Sequence, residues 1–114
     1  MINGLHAVIF SEQAEQARTF LGEVLGFESV DAGGGWQIFG PLPSELAVHP
    51  SDEGPRHELY LMCDDLEATA AELRAKGAEL GEVSEERWGR LTAIKLPGGG
   101  ELGLYEPRHP SPIS

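Results

Sequence analysis

The sequence predicts an α+β fold of two tandem β-α-β-β-β modules, and three features of the chain lead to this fold class. Each half begins with a short apolar run that enters a segment with apolar residues at helical spacing. Each helical segment stops at a glycine, Gly26 in the first half and Gly77 in the second. Aligning Gln13 with Asp65, an offset of 52 positions, brings the two patterns into agreement to within one residue.

The first module is expected to span residues 5–50. Its opening strand begins at His6, and its helix carries apolar residues three and four positions apart from Ala14 to Leu25. Consecutive glycines and a pair of prolines divide the remaining apolar residues into separate stretches. We therefore expect three further strands, at residues 27–30, 36–39 and 45–49.

The second module is expected to span residues 57–107 and to repeat the same order. Its opening strand begins at Glu58, and its helix runs from Leu66 to Ala75. The stretch 50–56 is rich in proline, glycine, serine and acidic residues and is the expected boundary between the modules. Together the modules form a single domain of residues 1–114, and the last strands are expected at residues 78–83, 91–96 and 102–105.

Composition narrows the class of partner. The chain has 114 residues, 40% of them apolar and 24% charged, which is typical of one globular domain. Its formal net charge of −11 argues against nucleic acid and against anionic membrane surfaces as partners. Cys63 is the only cysteine, so no intramolecular disulfide is expected. With neither a secretory signal nor a membrane-spanning apolar run in the sequence, the expected location is cytoplasmic.

Three segments, in order, resemble the vicinal-oxygen-chelate superfamily of glyoxalases, extradiol dioxygenases and bleomycin-resistance proteins. They are residues 6–27, which open with His-Ala-Val-Ile-Phe and close with Leu-Gly-Phe; residues 58–77, with Asp-Asp-Leu-Glu-Ala; and residues 96–107, with Pro-Gly-Gly-Gly-Glu-Leu-Gly-Leu-Tyr. The resemblance implies modules that curl around a shared cavity, often completed in a homodimer. It also implies a small-molecule ligand and a divalent metal such as zinc, nickel, manganese or iron.

The resemblance places the metal ligands at the start of each module's first strand and within the last strand. Those positions are His6, Glu58 and Gly103 in this chain. Imidazole and carboxylate both bind such metals, so His6 and Glu58 are the candidate ligands. The alternatives are a His6 that only hydrogen-bonds and a Glu58 that is an ordinary exposed carboxylate. A register shift of one residue would exchange Glu58 for His57.

Gly103 departs from the superfamily pattern, because metal-dependent relatives carry a glutamate there and glycine offers no ligand. Three protein ligands are the normal minimum for a catalytic metal, so Gly103→Glu is expected to raise metal affinity. Glu101 and Tyr105 lie on the same strand face, and either could serve as a substitute ligand or as a polar contact to the substrate. Glu58 and Glu101 are the candidate catalytic carboxylates. Glycine at 103 is also expected to leave room on the cavity floor for a ligand.

Two classes of function remain open. The first is a metal-dependent lyase, isomerase or dioxygenase that acts on a small oxygenated or aromatic substrate. The second is a metal-free protein that binds and sequesters a small molecule. In either class a set of large apolar side chains is expected to line the cavity, although such residues are more often ordinary core. The set is Phe10, Trp36, Tyr60, Met62 and Tyr105.

Overall fold

The structure is a computed structural model that describes residues 1, 6–50 and 52–113. Both helices form where the apolar periodicity predicts them: α1 spans Ala14–Glu23 and α2 spans Leu66–Ala75. Their first residues are separated by 52 positions, the offset of the sequence repeat. Within the described ranges no helix is long and apolar enough to span a membrane.

Six strands lie in the described residues and form two sheets. The first half contributes an antiparallel pair, β1 (Ser29–Asp31) and β2 (Gln37–Phe39). The second half contributes a four-stranded sheet in which β3 runs parallel to β6 and the other neighbours are antiparallel. Its spatial order is β3 (Tyr60–Met62), β6 (Glu101–Pro107), β5 (Gly89–Lys95) and β4 (Ser84–Glu86).

The second half therefore has the predicted β-α-β-β-β order, with one correction. A strand was expected at 78–83, but there only Leu80 forms an isolated bridge, to Ile94, and β4 begins later at Ser84. Around Leu80 the chain still bonds to β5, since the Gly81 N–H donates to the Ala93 carbonyl at 3.0 Å, whereas the Gly81 carbonyl accepts from the Thr92 hydroxyl at 2.8 Å.

The prediction for the first half is only partly correct. The expected strands at 27–30 and 36–39 correspond to β1 and β2, whereas described residues 6–10 and 45–49 contain no strand. A strand needs a hydrogen-bonded partner, and neither segment pairs with β1 or β2. Their apolar side chains are consequently exposed, with Phe10 at 91% and Val48 at 93%.

The hydrophobic core lies between the two helices and one face of the four-stranded sheet. Leu66 of α2 and Ile94 of β5 are fully buried at its centre. Side chains from the end of α1 pack against this cluster, which joins the two halves of the chain. The cluster is Leu66, Leu73, Ala78, Ile94 and Leu104, and its neighbours from the first half are Phe20 of α1 with Val24 and Leu25, the two residues that follow α1.

Candidate functional site

The sheet face opposite the helices gathers most of the predicted ligand-binding residues. Side chains alternate along β6, so Leu102 and Leu104 enter the core while Gly103 and Tyr105 lie on the other face. The pairing of β6 with β3 sets Tyr60 beside Gly103 and Met62 beside Tyr105. We call this surface the aromatic face; its members are Tyr60, Met62, Leu91, Ala93, Gly103 and Tyr105.

Tyr105 is the fixed centre of the aromatic face. Only 9% of the residue is exposed, and its ring centroid lies 5.6 Å from Trp88, 5.7 Å from His109 and 6.0 Å from Tyr60. Its hydroxyl donates a hydrogen bond to the Trp88 carbonyl at 3.0 Å. Burial, and secondarily the Glu45 carboxylate, raises the pKa of Tyr105 above its usual value. The phenol therefore stays neutral and serves as a rigid apolar wall.

Tyr60 covers Gly103, which corrects the expectation of free space on the floor. A Cβ atom built on Gly103 would lie 2.6 Å from Cε1 and 2.9 Å from Cγ of the Tyr60 ring. Carbon atoms in contact normally stand about 3.5–4.0 Å apart, so any side chain at 103 would displace the ring. The room that glycine leaves is already filled by its neighbour in β3. For the same reason, Gly103→Glu is no longer expected to create a metal ligand by itself.

Glu58 lies at the edge of the aromatic face and already has partners. Its carboxylate accepts a hydrogen bond from the Tyr60 hydroxyl at 2.8 Å and another from Arg56 Nε at 3.4 Å. These two donors, Tyr60 first, lower the pKa of Glu58 below its usual value. Burial, followed by the Glu58 hydrogen bond, raises the pKa of Tyr60. At neutral pH the pair is therefore a carboxylate accepting from a neutral phenol.

The residues at the superfamily's metal positions do not fit a three-ligand metal centre. Gly103 has no donor, Glu58 is engaged by Tyr60 and Arg56, and His6 is exposed in a segment without a strand. Among residues 6–50 and 52–113 no cluster of three or more His, Cys, Asp or Glu side chains could hold a metal ion. Glu101, proposed as the substitute ligand, is exposed at the start of β6 opposite Lys95.

Two predicted lining residues lie away from the aromatic face. Phe10 is 91% exposed and Trp36 is 70% exposed, and neither makes a ring contact with Tyr60 or Tyr105. Phe10 belongs to a segment that joins no sheet, and Trp36 lies just before β2 in the separate two-stranded sheet. Expecting both in one cavity required the segments that carry Phe10 and Trp36 to pack onto the aromatic face, and the structure places both side chains in exposed positions instead.

The C-terminal segment contributes residues that the sequence analysis missed. The backbone N–H of Arg108 donates to the Trp88 carbonyl at 2.9 Å, and His109 Nε2 lies 3.7 Å from the Glu45 carboxylate. Ser111 donates a hydrogen bond to the same carboxylate. The segment thus lies beside Tyr105 at one end of the aromatic face. The two contacts to Glu45 join positions more than sixty apart, and local patterns do not indicate them.

A hollow of about 360 Å³ lies elsewhere, between residues 26–28 and 40–42. Of its lining residues, Glu28 alone is charged and Phe27 alone is aromatic. The aromatic face carries the ordered phenols and the ionised Glu58. We therefore assign the candidate site to the aromatic face and not to the hollow.

Comparison with known proteins supports the fold. No family model and no curated protein sequence matches the chain. Among solved structures, an antibiotic binding protein from Streptomyces sp. CB03234, TnmS3, is 24% identical, with a TM-score of 0.65 over 94% of this chain and 99% of that one. A glyoxalase/bleomycin resistance protein from the same organism is 25% identical, with a TM-score of 0.59 over 83% of this chain and 92% of that one.

A lactoylglutathione lyase from Agrobacterium tumefaciens is 15% identical and has a TM-score of 0.62, over 86% of this chain and 88% of that one. These neighbours confirm the resemblance that the sequence indicates. The fold is that of the glyoxalase/bleomycin resistance/dioxygenase superfamily. The neighbours include one protein named as an antibiotic binding protein and one named as an enzyme, so the fold alone does not decide between binding and catalysis.

Proposed function

We propose that this chain binds a small, flat organic molecule on the aromatic face and does so without a metal ion. The observation that carries the proposal is the Tyr60 ring seated over Gly103, with its hydroxyl bound to Glu58. At Gly103, one of the superfamily's metal positions, there is no side-chain donor, and the Tyr60 ring fills the space that a donor would need. At a second, the carboxylate already accepts two hydrogen bonds.

The chemistry of the aromatic face suits a flat ligand. Tyr60 is 40% exposed and presents a ring that is held in place, and aromatic rings stack favourably on such surfaces. Met62, half-buried beside Tyr105, adds a flexible thioether that adapts to different ring shapes. The Glu58 carboxylate at the edge offers a hydrogen-bond acceptor to a polar group on the ligand. The antibiotic binding protein among the structural neighbours supports this class of function.

The enzyme alternative, a metal-dependent lyase, isomerase or dioxygenase, has less support. Lewis-acid chemistry of that kind needs a metal held by enough protein donors to leave open positions for the substrate. Each oxygen of the Glu58 carboxylate already accepts a hydrogen bond, one from Tyr60 and one from Arg56, and Glu101 lies at the exposed start of β6. We therefore favour binding over metal-assisted catalysis.

A fluorescence titration tests the proposal. The chain has two tryptophans, so in a Trp36→Phe background Trp88, beside Tyr105, is the sole indole reporter. The two probes, proflavine and anthraquinone sulfonate, are flat and carry opposite charges. At least one of them should quench the Trp88 fluorescence saturably in the presence of EDTA. Binding that appears only after a divalent ion is added would contradict the proposal. Met62→Lys should weaken binding, and Val83→Lys, an exposed position before β4, is the matched control.

The protein is further proposed to act as a homodimer. Large apolar side chains of the first half are exposed, and the radius of gyration, 14.9 Å, exceeds the roughly 13 Å typical of a compact chain of about this length. A second copy would cover these residues, which suit an apolar interface. Sedimentation should show a dimer at micromolar concentration, and a monomer there would contradict it. The exposed residues are Val8, Ile9, Phe10, Val30, Trp36, Ile38, Leu42, Leu46 and Val48.

A further inference from the structure

We infer that Tyr60 is the residue that determines what the aromatic face admits. Its ring fills the space above Gly103 and so excludes any side chain that could donate to a metal from position 103. The exposed part of the ring forms the surface on which a flat ligand stacks. This inference rests on the proposed function for the docking role, whereas the exclusion of donors rests on packing alone.

The backbone fixes Gly103 under the Tyr60 ring. The two residues are register partners in the parallel pairing of β3 with β6, and the Gly103 N–H donates to the Leu59 carbonyl at 3.1 Å. Sliding one strand past the other would break this ladder and turn the side chains to the opposite face. The ring therefore cannot leave Gly103 by a shift in register.

The Tyr60 ring is held on further sides by neighbours that are themselves fixed. Glu58 binds its hydroxyl at 2.8 Å, and Tyr105 contacts it at a tilt of 60°. Tyr105 in turn is anchored to the Trp88 carbonyl. A ring that is already ordered loses little conformational entropy when a ligand stacks on it, which favours binding.

Position 103 and the Tyr60 ring compete for the same volume. The Cβ atom of alanine, or of glutamate, would overlap three carbons of the ring, so either the ring or the side chain must move. An ordered Tyr60 and a side-chain donor at 103 are therefore mutually exclusive. In this chain the Tyr60 ring occupies the volume. The aromatic face therefore presents a ring where a glutamate at position 103 would otherwise present a metal-coordinating carboxylate.

A double-mutant cycle on the full chain tests the packing part. Gly103→Ala should lower the melting temperature by about 5–15 °C, because overpacking lowers the free energy of unfolding. A small domain has a small entropy of unfolding, so a given loss of stability shifts its melting temperature by several degrees. In a Tyr60→Ala background the same Gly103→Ala change should cost almost nothing, and in Tyr60→Phe, which keeps the ring, it should cost as much as in the wild type. Gly22→Ala is the matched control, because its Cβ would meet Phe39 at an ordinary 3.9 Å.

The same variants test the docking part with proflavine and anthraquinone sulfonate. Tyr60→Ala should lower the affinity for whichever probe binds by roughly tenfold or more. Tyr60→Phe should largely retain that affinity, because the stacking surface is the ring. An equal cost of Gly103→Ala with and without the ring would overturn the exclusion of donors. Unchanged probe affinity in Tyr60→Ala would overturn the docking role alone. If the wild type binds neither probe, the proposed function fails together with the docking role, while the melting cycle still decides the packing claim.

Discussion

The hydrogen bond between Tyr60 and Glu58 controls the ionisation of the carboxylate at the edge of the aromatic face. It is the largest cause of the lowered pKa of Glu58. A lowered pKa in the folded state means that the bond contributes stability above the usual value of 4.5 and that this contribution is lost as the pH falls through the folded-state pKa. The contribution is small, because Glu58 is exposed to solvent.

Tyr60→Phe should therefore raise the pKa of Glu58 toward its usual value, although Arg56 remains as a second donor. A carbon-detected NMR titration of the Glu58 carboxyl group measures the change. Tyr105→Phe, which removes a hydroxyl that bonds to Trp88 and not to Glu58, is the matched control. An unchanged Glu58 pKa in Tyr60→Phe would show that the bond does not persist in solution.

Strand alternation predicts that Tyr60 shares a face with Met62 and that Gly103 shares a face with Tyr105, and the resemblance to the superfamily implies that both pairs line one cavity. Alternation could not predict that the Tyr60 ring lies on Gly103, because that contact depends on which residues of β3 and β6 are register partners. The assignment of Glu58, and not His57, to this face agrees with the Tyr60 hydrogen bond. The roles of His6, Glu58 and Glu101 in metal binding or catalysis stay predictions.

At the level of elements, the start of α2 is held by two carboxylates. Asp65, the residue before the helix, accepts a hydrogen bond from the Ala68 N–H at 3.1 Å. Glu106 of β6 accepts one from the Leu66 N–H at 2.8 Å. Both satisfy N–H groups that a helix leaves unpaired, and both carry the charge that a helix N-terminus favours. Glu106 thereby ties α2 to the strand that carries Tyr105.

Asp65→Ala should destabilise the protein by about 1 kcal/mol, the usual cost of losing a side-chain cap. Glu106→Ala should cost a similar amount, since it removes a charged acceptor from a backbone donor. Urea denaturation monitored by circular dichroism measures both changes. Asp64→Ala, the exposed acidic neighbour that caps no helix N–H in the structure, should be close to neutral. If Asp64→Ala lowers the stability as much as Asp65→Ala does, the loss of a negative charge near the helix, and not the loss of the cap, causes the destabilisation.

The helices were predictable because their signals are local: apolar spacing, an acidic residue before α2 and a glycine after each helix. The strands at 6–10 and 45–49 were not, because a strand exists only with a partner. Both segments are rich in apolar residues, yet neither has a ladder neighbour among the described residues of a single copy. The division of the chain into modules at 50–56 also stays a prediction.

At the scale of the whole molecule, the exposed apolar residues of the first half lead us to expect that they form the interface of the proposed homodimer. Val48→Asp places a charge at a position that is 93% exposed in one copy and should shift the proposed dimer toward monomer. Sedimentation velocity across a concentration series measures the shift. Val83→Asp introduces the same charge in the second half and should leave the assembly unchanged. A Val48→Asp protein that sediments like the wild type would place the interface elsewhere.

The central claim is that the aromatic face takes its ligand without a metal, and calorimetry on the wild-type chain tests it most directly. The protein is dialysed against EDTA, freed of chelator and titrated with Zn²⁺, Ni²⁺ and Mn²⁺. Because Gly103 gives no donor and Tyr60 occupies its space, no saturable heat at one ion per chain is expected. Tight binding of one ion per chain that Glu58→Gln or Glu101→Ala abolishes would contradict the account.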